Sequence, residues 1–252
     1  MENACWRGDS ARALTYLAAR DPNSFWRPAA MWAAMRGHVH VLQWLLDWHP
    51  DRCEWTASVM DDAARCSKLV AVRWLHLNRK EGCTPRAMTL AAAGGDLQMV
   101  QWLHRNRSEG CTARAMDFAA KEGHLAVVQW LHEHRSEGCT TDAMNLAASR
   151  GELDTVKWLH AYRAEGCTVD AMNNAAENGR LEVVQWLHTN RSEGETGQAL
   201  RAAAKNGHLQ VVKWLHAAID EEERNTDLIR GAVEVATMHD HLGVAEWLEA
   251  NS

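Results

Sequence analysis

Residues 111–138 read CTARAMDFAAKEGHLAVVQWLHEHRSEG, and residues 139–166 read CTTDAMNLAASRGELDTVKWLHAYRAEG. The two stretches align without a gap. The string Trp-Leu-His begins at Trp74, Trp102, Trp130, Trp158, Trp186 and Trp214, each 28 residues after the last. Trp44 lies 30 residues before the first of these and Trp247 lies 33 after the last, so 8 of the 13 tryptophans share one register. With only 2 Tyr and 2 Phe beside them, this tryptophan content is copied rather than random. A period in the range of 20–50 residues marks a repeat architecture and overrides any domain count taken from length.

Each unit reads as two helices. The first, such as residues 115–121, turns Ala and Met inward, and small residues there let neighbouring helices approach. The preceding Thr is a good N-cap, because its hydroxyl can accept from the first free backbone amides. Pro85 follows Thr84, the placement favoured at the first helical position. Gly95, Gly123, Gly151, Gly179 and Gly207 close the first helix, where a left-handed residue is needed. The second helix, such as residues 125–134, is apolar over a broad arc and is expected to be sandwiched between neighbours. A helix pair this short cannot bury its own core, so it must stack on copies of itself. The fold class expected is all-α, an α-solenoid of about nine helix-turn-helix units. One domain over residues 1–252 is expected, with an atypical N-terminal unit at 1–22, seven repeats at 23–216 and an atypical C-terminal unit at 217–252.

The framework Ala-Ala-x-x-Gly-His-Leu-x-Val-Val-x-Trp-Leu at residues 119–131 resembles the ankyrin repeat, with Trp130 where the family commonly has the first of two leucines. The resemblance runs through every unit. It departs from the family at the opening, where Arg114-Ala115-Met116-Asp117 replaces Thr-Pro-Leu-His. It departs again in length, 28 residues against about 33. The missing residues fall where an ankyrin array carries its β-hairpin finger, so Arg-Ser-Glu-Gly-Cys-Thr is expected to be a tight loop. The resemblance implies a protein-binding scaffold whose first helices form a concave face, without fingertips to bind through.

Composition narrows the function. No apolar run approaches the ~18 residues of a membrane helix, and the start MENACWRGDS shows no secretory signal. Seven cysteines are too sparse for a disulfide scaffold. A net charge of −6 argues against a general nucleic-acid binder. Residues 1–80 carry 11 Lys+Arg against 8 Asp+Glu, while 81–252 carry 16 against 25. The run Asp220 to Glu223 reads as a solvated loop. No phosphate loop, Gly-x-Ser-x-Gly, His-Glu-x-x-His or Cys-x-x-Cys is present, so no enzyme, cofactor or metal is expected. A cytoplasmic or nuclear, monomeric protein with a protein or peptide partner, and with neither nucleic acid nor membrane bound, is the expectation.

Four ladders repeat with the period. Cys83, Cys111, Cys139 and Cys167 read as small buried residues beneath the loop, broken at Glu195. The histidines of Trp-Leu-His read as C-terminal residues bonding loop carbonyls. The tryptophans, in a leucine register, read as core. Arg107/Glu109, Arg135/Glu137, Arg163/Glu165 and Arg191/Glu193 read as inter-repeat ion pairs.

Function is sought where the units differ. Two first-helix positions vary at i, i+4 spacing, which places each pair on one helical face. They give Asp61/Arg65, Thr89/Ala93, Asp117/Lys121, Asn145/Ser149, Asn173/Glu177 and Arg201/Lys205. Met31 and Met35 continue the stripe, with Trp32 and Arg36 beside them. These residues, Ala93 apart, are the expected partner-binding set. The runner-up places the partner on an end cap or the loop edge, with self-association a version of it.

Overall fold

The computed structural model describes residues 1–23, 25–219 and 226–251. The described residues form nine helix pairs and no strand. The pairs are α1 (Glu2–Arg7) with α2 (Ala11–Arg20), α3 (Ala29–Arg36) with α4 (Val39–Trp48), α5 (Ala57–Arg65) with α6 (Leu69–Asn78), and α7 (Pro85–Ala93) with α8 (Leu97–Asn106). They continue with α9 (Arg114–Lys121) and α10 (Leu125–His134), α11 (Asp142–Arg150) and α12 (Leu153–Tyr162), and α13 (Val169–Glu177) and α14 (Leu181–Asn190). Last come α15 (Thr196–Lys205) with α16 (Leu209–Ala218) and α17 (Thr226–Met238) with α18 (Leu242–Ala250). The chain forms two compact units, residues 1–115 and 116–252. The first holds α1–α8, the second most of α9 and α10–α18. The acidic run Asp220 to Glu223 lies outside the described residues.

Within each unit the first helices stack on one another more closely than the second helices do. The cause is side-chain size. Ala143, Ala147 and Ala148 of α11, like Ala171, Ala175 and Ala176 of α13, are buried, so the two backbones can approach. The second helices bury Val and Leu instead: Val156 and Leu159 on α12, Val183, Val184 and Leu187 on α14. The turn between the two helices needs a left-handed residue, glycine in most repeats but Ser67 and Asp240 in two. Gly123 has φ +72°, and a Cβ there would also run into the Glu152 carboxylate of the next repeat.

The loop joining one repeat to the next contains no hairpin among the described residues. Cys83, Cys139 and Cys167 are buried beneath it. Burial pushes their thiols up, to about 12 for Cys83 and about 11 for Cys139. Such thiols stay protonated and unreactive at neutral pH.

The tryptophan ladder corrects the sequence reading. Of the eight in register, Trp44 is buried, but Trp74, Trp102, Trp130, Trp158, Trp186, Trp214 and Trp247 are only half-buried. The leucine that follows each carries the core. The indoles pack on the histidine of the preceding repeat instead. His132 meets Trp158 edge-on at 5.3 Å, His160 meets Trp186 at 5.1 Å and His188 meets Trp214 at 5.3 Å. In the first unit His76 meets Trp102 the same way at 5.3 Å. An edge-to-face pair of this kind satisfies the ring quadrupoles.

Candidate interaction face

The expected stripe divides in two. From Asp61 to Asn145 its first position is not a surface, whereas Arg201 at the same position is exposed. Asp61 and Asp117 are 3% and 2% exposed, and Thr89 and Asn145 are also buried. Each acid grips the start of the next repeat, 23 residues on. Asp61 accepts from the Thr84 backbone N–H at 2.8 Å and from its hydroxyl at 2.7 Å. Asp117 accepts from the same two groups of Thr140 at 2.8 and 3.0 Å. Asn145 makes the same clamp with its amide, accepting from the Thr168 N–H at 3.0 Å and donating to its hydroxyl at 3.0 Å. Thr84 and Thr168 in turn cap their own helices, accepting from the N–H of Arg86 and Asp170. Thr89 turns inward on its own helix and donates to the Pro85 carbonyl at 3.0 Å. Asp61, Asp117 and Asn145 are therefore joints rather than partner contacts, and Thr89 is buried on its own helix. Burial raises the carboxyl pKa of Asp61 and Asp117, against the lowering effect of the threonine bonds.

At the fourth such joint the clamp is not made. Glu195 replaces the cysteine and becomes the N-cap of α15, so Thr196 lies inside the helix. Asn173 donates instead to Gln198 at 3.3 Å, and its Oδ1 is buried without a hydrogen-bond partner.

The second position of the stripe does face outward. Arg65, Glu177 and Lys205 are exposed, as is Arg201. Lys121 and Ser149 are half-buried. Lys121 pairs with Glu122 at 3.5 Å, and Arg65 with Asp62 at 3.1 Å. Ser149 accepts from Asn178 at 3.2 Å. At the N-terminal end Met31, Trp32 and Met35 are half-buried and Arg36 is exposed, its guanidinium 4.5 Å from the Trp6 ring. The sequence reading left out the half-buried residues just after two of the clamps, Phe118 after Asp117 and Leu146 after Asn145, both in the second unit. Their signal was a large apolar residue next to an acid or amide on the same helix.

The charged loop pairs are also corrected. They close within one loop rather than between repeats. Arg107 donates through Nε to Glu109 at 3.2 Å and through Nη2 to the other carboxylate oxygen. Arg79 with Glu81, Arg135 with Glu137, Arg163 with Glu165 and Arg191 with Glu193 repeat this two-pronged geometry. What crosses to the preceding repeat is the remaining nitrogen. Arg107 Nη1 donates to His76 Nδ1 at 3.3 Å, Arg163 to His132 at 3.1 Å and Arg191 to His160 at 3.3 Å. His76, His132 and His160 thus receive an arginine rather than bonding a loop carbonyl. A second histidine, at the Gly-His turn, does reach a carbonyl: His208 Nε2 bonds Glu177 O at 2.9 Å.

Burial pushes the Glu109 carboxyl up, but the Arg107 hydrogen bonds and the backbone N–H groups of Glu109 and Cys83 outweigh it and hold the pKa at about 2. A depressed carboxylate pKa adds stability above its unfolded value, and that stability is lost as pH falls through the folded value. Urea unfolding should therefore show stability dropping as pH is taken from about 5 towards 2. Glu109→Gln should be less stable than wild type at pH 7 and show a shallower acid slope. Identical slopes would remove the loop pair from the acid response.

Paired buried alanines and a left-handed turn before the second helix recur along the helix pairs, with the clamp made from Asp61, Asp117 and Asn145. A family model described as ankyrin repeats (three copies) matches residues 144–225, and another described as ankyrin repeats (many copies) matches residues 116–160. Over residues 116–225 the chain carries ankyrin repeats. No curated protein matches it significantly. Ankyrin repeats generally mediate protein–protein interaction. No helix here is long and apolar enough to cross a membrane, among the described residues.

Proposed function

We propose that the chain is a non-enzymatic interaction scaffold that takes a partner protein or peptide along its first-helix face. One observation carries this reading. Once the clamps are set aside, the residues left in solvent on the first helices differ from repeat to repeat, while alanines, glycines and clamps recur. In the second unit these are Lys121, Ser149, Glu177, Arg201 and Lys205; in the first, Arg65, Arg36 and the Met31, Trp32, Met35 group. Residues outside the clamps are the ones a partner can read. The reading includes a monomer before the partner binds, no nucleic-acid or membrane partner, no cofactor and a cytoplasmic or nuclear home.

The test is capture of partners from native lysate by wild type and by a Lys121→Glu, Glu177→Lys, Lys205→Glu variant, identified by mass spectrometry. All three side chains lie outside the clamps, so the variant should unfold at the wild-type temperature. A partner held by wild type and lost by the variant supports the first-helix face. A partner held equally by both shifts the reading to an end cap or the loop edge. Light scattering should give 28.3 kDa, and a dimer mass would support self-association instead.

A further inference from the structure

Three successive loops of the second unit, residues 137–141, 165–169 and 193–197, read Glu-Gly-Cys-Thr-Thr, Glu-Gly-Cys-Thr-Val and Glu-Gly-Glu-Thr-Gly. No residue is inserted in the third. Asn173 stands as far before Thr196 as Asn145 stands before Thr168. Yet Asp117 and Asn145 clamp their threonines, and Asn173 does not.

The cause is the seat of the cysteine. Cys139 and Cys167 are buried beneath their loops. A carboxylate in that seat would be stripped of water, and Glu195 stands exposed instead. Turning it outward changes the backbone before it. Gly138 and Gly166 have φ +68° and +70°, whereas Gly194 is not left-handed and lies against Met172. The helix then starts one residue early. α13 begins after Thr168, but α15 begins at Thr196, with Glu195 as an N-cap whose side chain makes no cap hydrogen bond. Gly197, where α13 has Val169, weakens this first turn further. Asn173 is left with one bond, to the exposed Gln198, which in turn donates to Glu195 at 2.5 Å. Its Oδ1 is buried without a partner.

The rest of the joint is intact. His208 Nε2 bonds Glu177 O at 2.9 Å, and His188 meets Trp214 edge-on at 5.3 Å. The joint is therefore fastened at the Gly-His turn and along the second helices, and unfastened at the start of α15.

We propose that this joint is a hinge of the second unit: the start of α15 lifts from α13, and α15–α18 tilt as a group about the Gly-His turn. Opening lets water reach Asn173 Oδ1 and so removes the penalty of an unpaired buried oxygen. It also breaks fewer buried hydrogen bonds than opening at Thr140 or Thr168 would, and local opening starts where least is lost. Lys121, Ser149 and Glu177 precede the hinge, while the exposed Arg201 and Lys205 follow it. Under the first-helix reading, a partner that crosses the joint sets the angle between these two groups. The hinge itself stands without that reading.

Hydrogen exchange of the full chain under reducing agent, read by mass spectrometry, tests it. Helical amides of residues 199–204 should be about tenfold less protected than those of 171–176. Glu195→Cys restores the residue of the neighbouring loops and should remove most of that difference. Glu195→Ala, also small enough for the seat, should do the same. A difference that survives both substitutions is a gradient towards the chain end and overturns the hinge, as does equal protection of the two helices in wild type. A double-mutant cycle gives a second readout. Asn173→Ala alone should move the melting temperature by no more than about 1 °C, because its Oδ1 has no bond to lose. In Glu195→Cys, where the clamp forms, the same substitution should lower it by about 3 °C or more. Equal shifts in the two backgrounds overturn the proposal.

Discussion

Leu159→Ala should lower the unfolding free energy by about 2–5 kcal/mol, whereas Trp158→Ala, one residue earlier, should cost about 1–3 kcal/mol. The larger side chain has the smaller effect because of where each points. Leu159 is 1% exposed, within the layer between first and second helices. Truncating it deletes buried methyls and leaves a cavity that the stacked alanines cannot fill. Trp158 is half-buried, edged by His132 at 5.3 Å and stacked on Tyr162 at 5.0 Å. Its loss removes those ring contacts and part of its area, while solvent fills the space. Denaturant unfolding of both variants decides the order. An equal or larger loss at Trp158 would place the tryptophan ladder in the core after all.

Asp117→Arg should lose on the order of 3–5 kcal/mol, because it deletes the clamp and leaves a buried charge without a partner. Asp117→Ala should lose about 1–3 kcal/mol, the cost of a buried Thr140 N–H with no acceptor. Asp117→Asn should be as stable as wild type or more so at pH 7. The molecule already contains that experiment. Asn145 grips Thr168 through the same two atoms, and the Thr168 hydroxyl turns its proton to Asp170 at 3.0 Å. Asp142 stands ready to serve Thr140 in the same way, its N–H already bonded to the Thr140 hydroxyl at 3.1 Å.

The pH dependence gives the same answer by a second route. Burial raises the Asp117 pKa, so its contribution is largest below the unfolded carboxylate value and is lost as pH rises through the folded one. Asparagine removes that loss. The gain of Asp117→Asn over wild type should therefore shrink as pH is lowered towards 4. A variant at least 1 kcal/mol less stable than wild type at pH 7 would mean that the charge itself is needed.

The helix pairs were legible because their causes are local and copied. Residues 125–134 were read as the second helix, and α10 spans Leu125–His134. The threonine caps and turn glycines stand in the sequence at fixed offsets. What was misread depends on contacts between copies. Variation among Asp61, Asp117 and Asn145 looks like freedom in the sequence. Yet Asp and Asn are both short side chains with an oxygen at the same reach, and each lies 23 residues before a threonine. That restricted choice was the available signal. The tryptophan ladder misled for a related reason: its register matches a leucine of the family, but the histidine one repeat away, which supports the indole, is not local. The loop arginines and glutamates are two residues apart, and a period of 28 residues made them look like rungs between repeats when they close on themselves.

The clamp has a bearing on how such a chain can change length. Asp117 recognises only a threonine N–H and hydroxyl, and Thr168 presents the same two groups as Thr140. Loss of residues 140–167 would bring Asp117 to Thr168, and duplication of them would pose another pair of the same kind. The seam is chemically silent in either direction. A gene encoding this protein can thus gain or drop whole periods by unequal recombination without inventing a junction, and what each such event alters is the exposed residues it adds or removes.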